Sequence, residues 1–118
     1  MSAEENKRVA RIYHDLNPED VETILTPDFV GRHPTGYTWN RENHKGFVTN
    51  ELTDTIHEQI GEGDWVATRF TRTGTVGTNP IHVESVHFKR FRDGKICEVL
   101  EYFDSKQIPW FNPTPREG

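Results

Sequence analysis

The sequence predicts an α+β domain in which helices cover one face of a curved antiparallel sheet and close it into a cone with a pocket. Two observations carry this expectation. Apolar residues recur at helical spacing before Thr55 and alternate with polar ones after it. The second stretch is divided by turn signals, of which Arg92-Asp93-Gly94-Lys95 is the strongest. With 118 residues and no linker or repeat, the expectation is one domain over 1–118.

The elements follow in order. Ser2 can cap a helix, and Glu5 stands at the capping-box spacing. Val9, Ile12, Tyr13 and Leu16 form its apolar stripe. Asn17-Pro18 breaks it, and Pro18, Glu19 and Asp20 suit the first turn of a short second helix carrying Val21, Ile24 and Leu25. Asp28 to His33 reads as a short strand, and Pro34-Thr35-Gly36 as a turn. Asn40 to Leu52 reads as a third helix with Phe47, Val48 and Leu52 inward, weakened by Gly46. Four strands then follow: Thr55 to Ile60, Trp65 to Thr75, Ile81 to Phe91 and Ile96 to Phe103. The segment 105–118 reads as an irregular tail in which Ile108, Trp110 and Phe111 can act as anchors.

Composition narrows the function. A formal net charge of −5 argues against nucleic acid as a partner, which would need a basic face. No apolar run approaches a membrane span, and the N-terminus has no apolar signal core. A single cysteine, Cys97, rules out an internal disulfide and fits a reducing cytoplasm. His and carboxylate residues do not fall at spacings that mark a metal site, and no glycine-rich phosphate cradle precedes a helix. A small molecule or a protein is the expected partner.

Alternate residues on a strand share a face. Trp65, Ala67, Arg69 and Thr71 therefore go together, as do Ser85 with His87, and Val99 with Glu101 and Phe103. A bulge near Phe88 would change the inward register of His87. If the three faces converge, Arg69, His87 and Glu101 meet in one cavity walled by Trp65, Val99 and Phe103. A cation, an imidazole and a carboxylate in an apolar enclosure suit proton transfer beside a carbonyl. The alternative is a buried structural ion pair between Arg69 and Glu101, with His87 a hydrogen-bonded core residue. Tyr37 and Trp39 read either as an aromatic wall or as core anchors of their loop.

Two hairpins carry a family resemblance. Gly63-Asp64-Trp65-Val66-Ala67-Thr68-Arg69 resembles the G-D-x-V-A-x-R strand of the NTF2-like superfamily, SnoaL-like group. Phe91-Arg92-Asp93-Gly94-Lys95-Ile96-Cys97-Glu98 resembles its F-R-D-G-K-I-x-E hairpin, and Val9 to Asp20 its first helix and break. The resemblance spans nearly the whole chain through Asp104. It implies a cone of three N-terminal helices packed in the curved sheet, with His33 at the mouth either lining the pocket or capping its own loop.

Three members differ in what they imply. At the ketosteroid isomerase positions this chain has Ile12, His33 and His87, so that chemistry is not implied. The limonene-epoxide hydrolase pattern is half present: Arg69 and Glu101 match, while Thr71 stands in place of an acid. SnoaL-like polyketide cyclases put an acid at the Glu101 position and a polar residue at the His87 position. The resemblance thus implies cofactor-free acid/base chemistry of the cyclase, isomerase, dehydratase or hydrolase type on a mostly apolar carbonyl, enol or epoxide compound. Glu101, His87 and Arg69 would be catalytic, and His33, Tyr37, Trp39, Trp65, Thr71, Val99 and Phe103 would bind substrate. The alternative is a non-catalytic ligand-binding or protein-interaction domain of the same fold. A homodimer is expected through the convex face, where Val66, Phe70, Val86 and Phe88 would lie if Arg69 and His87 point inward.

Overall fold

The computed structural model describes residues 2–44 and 52–104. Helix α1 spans Ala3–Tyr13 and opens as the sequence predicts, with the Ser2 hydroxyl accepting from the Glu5 N–H at 3.1 Å. Such a cap is worth about 1 kcal/mol. The helix stops at Tyr13, short of Leu16, and His14 closes it as the C-cap. A 3-10 turn at Pro18–Asp20 leads into α2, which is only Val21–Ile24. Helix α3 is Arg41–His44, capped reciprocally by Asn40 and Asn43. The long third helix expected over Asn40 to Leu52 is contradicted at its end, because Leu52 opens a strand. Phe47 and Val48 lie outside the described residues, as does the whole segment 105–118.

Six strands form one sheet: β1 Leu25–Arg32, β2 Thr38–Asn40, β3 Leu52–Glu62, β4 Trp65–Val76, β5 Asn79–Arg92 and β6 Lys95–Phe103. Their spatial order is β2-β1-β6-β5-β4-β3. The expectation of an all-antiparallel sheet needs one correction, since β1 runs parallel to β6. The short strand expected from Asp28 starts earlier, at Leu25, and its pairing with β6 breaks between Leu25 and Val30, around Pro27. Proline has no N–H to donate there. Asp93 and Gly94 both take positive φ, 53° and 81°, the geometry of a tight two-residue hairpin.

Helix α1 lies across one face of the sheet, here called the inner face. Val9, Ala10 and Tyr13 pack there with Val66, Phe91, Ile96 and Val99. Each fully buried apolar side chain contributes about 1.5–3 kcal/mol. Gly31 has no room for a side chain, because a Cβ would come within 2.1 Å of the Trp39 ring on the paired strand. Among the described residues no helix is long and apolar enough to cross a membrane.

Candidate active site

Strand register builds the site. Thr68, His87 and Glu101 are direct cross-strand neighbours on β4, β5 and β6, forming one row across the inner face. Arg72 lies two steps of the alternation further along β4, opposite Asp54 of β3. Two bulges make this possible. Cys97 is the extra residue on β6 between the Phe91–Ile96 and Arg90–Glu98 pairs, and His57 is the extra residue on β3. A one-residue slip reverses every side chain beyond it. The Cys97 bulge is what turns Glu101 to the inner face, opposite His87 rather than Leu100.

His87 Nε2 lies 2.7 Å from Glu101 Oε2. The His87 ring is 1% exposed and the Glu101 side chain 11%. Arg72 Nη1 stands 3.8 Å from the same carboxylate oxygen. His87 Nδ1 is buried with no hydrogen-bond partner among the described residues. Burial comes first in lowering the His87 pKa far below the ordinary imidazole value, followed by the nearby charges of Lys89, His14 and Arg72. With His87 neutral and Glu101 ionised, Nε2–H donates to the carboxylate.

Behind this dyad lies a second set of groups. Arg72 donates through Nε and Nη2 to Asp54, at 2.7 and 2.9 Å. Such two-point pairing is the strong form of the contact. Asp54 Oδ2 also meets His14 Nδ1 at 2.7 Å, and His14 Nε2 lies 2.8 Å from Lys89 Nζ. Burial opposes ionisation of Asp54, but His14 and Arg72 overcome it and hold the carboxyl well below its usual range. Asp54 is therefore the acceptor, and His14 carries its hydrogen on Nδ1. Burial, then the Lys89 charge, lowers the His14 pKa to about 4.

The residues singled out in the sequence divide between the two faces. Glu101 and His87 share the inner face and meet there. Arg69 does not join them: it pairs with Val86, points to the outer face and donates to Glu58 at 2.6 Å. Trp65 shares that outer face and is 36% exposed. Thr71 also has outer-face register and is bonded to His57 at 2.6 Å. Val99 is fully buried core. Tyr37 and Trp39 are core anchors, stacked at 6.2 Å, with the indole donating to His44 Nδ1 at 3.1 Å. His33 is buried beside Phe103, ring centroids 5.0 Å apart, and its Nδ1 serves Thr35 in its own loop.

Arg72, Asp54, His14 and Lys89 were not legible as site residues. Lys89 had a usable signal, since it shares the phase of His87 on one strand. Asp54 lay outside the strand that the alternation marked, and His14 gave no sign of reaching the sheet. A cleft of about 280 Å³ opens where β6 meets the His33–Gly36 turn, with Glu101, Leu100, His33 and Arg32 on its lining. Among the described residues no three His, Cys, Asp or Glu side chains converge as metal ligands.

The family model of the SnoaL-like domain matches residues 7–99. This chain belongs to the SnoaL-like domain family. Solved structures agree on the fold of this SnoaL-like domain. A candidate SnoaL-like polyketide cyclase from Jannaschia sp. CCS1 superposes with TM-score 0.77 at 18% identity, covering 91% of this chain and 90% of that one. An LEH-like epoxide hydrolase of M. tuberculosis gives TM-score 0.75 at 19% identity, covering 92% and 89%. IdmH, a candidate polyketide cyclase from Streptomyces antibioticus, gives 0.70 at 21% identity, covering 93% and 97%. No curated protein matches in sequence. The SnoaL-like domain thus shares its fold with these proteins.

Proposed function

We propose that this SnoaL-like domain is a cofactor-free acid/base enzyme for a small, mostly apolar carbonyl, enol or epoxide compound. The observation that carries the reading is Glu101 itself: a largely buried carboxylate held at Oε2 by His87 and faced by one arm of Arg72. Both contacts fall on Oε2, which leaves Oε1 to take or give the proton. His87 fixes the carboxylate's orientation. Arg72, tied to Asp54 by two of its nitrogens, keeps Nη1 for oxygen charge that develops on a substrate. It replaces Arg69 in the role expected from the sequence. Of the family chemistries, cyclase- or isomerase-type proton transfer fits best, because it needs one proton carrier and one oxyanion partner.

The test is a turnover screen of wild type and Glu101→Gln on carbonyl, enol and epoxide compounds. Glutamine keeps size and hydrogen bonding but cannot exchange a proton at neutral pH. The expected result is turnover of at least one compound, reduced on the order of a hundredfold or more in the variant with binding retained. Equal turnover in both proteins sinks the reading. Binding without turnover in either would favour a ligand-binding domain.

A further inference from the structure

Lys89 is a lysine with no exposed surface, in the middle of β5. Its amine reaches two acceptors: His14 Nε2 at 2.8 Å and Thr68 Oγ1 at 3.4 Å. Thr68 spends its own hydrogen on Gln59 Oε1 at 2.9 Å, so it can only accept from Lys89. The remaining direction faces the Tyr13 ring, 5.2 Å from its centroid. Among the described residues no carboxylate pairs with the amine. Asp54 is linked to the amine through His14 and is bridged twice by Arg72.

Two basic nitrogens 2.8 Å apart need one hydrogen between them. His14 Nδ1 holds its hydrogen against Asp54, so Nε2 and Nζ compete for the next one. An imidazolium facing an ammonium would set N–H against N–H with no lone pair between. The pair can therefore carry at most one positive charge. The surrounding charges ask for that one. Asp54 is matched by Arg72, and an ionised Glu101 is matched by the charge on the pair. Among the described residues, the other titratable groups facing the enclosure are Tyr13 from α1, His44 from α3 and His87 from β5, all neutral.

We propose that His14 and Lys89 share a single buried positive charge, and that this shared charge keeps His87 an uncharged imidazole that gives its Nε2–H to Glu101. The His14 and His87 rings stack at 5.1 Å, and Lys89 is two residues from His87 on the same face, so the charge acts at close range. Burial lowers the proton affinity of Lys89 well below that of a free amine, and Lys89 in turn lowers that of both imidazoles, as competition for one proton requires. For the acid/base reading proposed above, on which this role rests, His14 and Lys89 are positioning residues. They touch no substrate and set the state of the group that orients Glu101.

The experiment is a side-chain ¹⁵N NMR titration of the whole protein, which needs no substrate. In wild type, His14 and Lys89 should show one shared protonation, and His87 should stay neutral and Nε2-protonated well below its ordinary titration point near 6.5. In Lys89→Met, His87 should gain affinity for a proton by about tenfold or more. Independent titrations of Lys89 and His14 at ordinary values in wild type would overturn the inference, and need no variant to fold. So would a His87 titration unchanged in Lys89→Met. A shared proton in a protein with no turnover upholds this inference while the enzyme reading fails. Turnover dependent on Glu101 with ordinary, independent titrations does the reverse.

Discussion

His87 and Glu101 face each other, at 2.7 Å, because Cys97 is an extra residue in the last strand. The pairing is a product of register, and the chemistry that follows depends on His87 holding one carboxylate oxygen. His87→Asn shortens the side chain and withdraws that hold. With a compound that wild type turns over, kcat should fall about ten- to a hundredfold with KM little changed, as expected for an orienting contact. Steady-state kinetics decide it. An unchanged kcat would show that Glu101 needs no partner.

Arg69 and Arg72 are three residues apart on one strand and should behave as opposites. Arg72 holds a largely buried carboxylate at two points, and removing one member of such a pair costs about 3–5 kcal/mol. Arg69 pairs with Glu58 in solvent, where the contact is worth about 1 kcal/mol at most. Urea unfolding of Arg72→Ala and Arg69→Ala should separate them clearly. Equal losses would contradict the assignment of faces.

Acid should weaken the fold early. His14 and His44 titrate near 6.5 when unfolded, but burial holds each down to about 4 in the fold. The unfolded chain then binds more protons throughout that window. The contribution of these two imidazoles is full above about pH 6.5 and falls toward pH 4, by about 1.4 kcal/mol per pH unit for each. Asp54, whose folded pKa is depressed, adds a loss of the same sign at lower pH. Urea midpoints at neutral and mildly acidic pH check this. A flat profile across the window would refute it.

The outer face of the sheet carries Phe88 and Tyr102 in edge contact at 6.1 Å, with Trp65 beside them under Arg90. Phe88 is 40% and Tyr102 51% exposed, on a face that no described helix covers. Its charges are paired within the face, Arg69 with Glu58 and Arg90 with Glu98, so a second copy could bury the rings without stranding an ion. We propose a homodimer there. Of the four residues expected on this face, Val86 and Phe88 lie on it, while Val66 and Phe70 are buried on the inner side. Light scattering should give twice 13.7 kDa for wild type and 13.7 kDa for Phe88→Glu. A wild-type monomer at micromolar concentration would end the proposal.

The sequence alone determined most of the element types, because local signals suffice for them, but it missed β2 and placed Leu25 and Leu52 in helices. The Ser2 cap, the Asn17-Pro18 break, the alternation after Thr55 and the Asp93-Gly94 turn each act within a few residues. The same signals, with the two hairpin motifs, made the family legible. Glu101 and His87 each share a strand face that alternation could mark, and the bulge at Cys97 sets the two faces together.

Tertiary structure decided which faces met. Alternation groups Arg69 with Thr71 and His87 with Ser85, but it cannot say which group on one strand matches which on the next. That depends on turn length and on bulges. The two-residue turn at Gly77-Thr78 sets Arg69 against Val86 and Thr68 against His87. The bulges at His57 and Cys97 bring Asp54 and Glu101 inward, and no local pattern marks either position. His14, forty residues from Asp54, joined the site only when α1 packed across β3. A one-residue shift in pairing costs little in any local pattern yet inverts a whole face, so the composition of this site was fixed by packing rather than by sequence spacing.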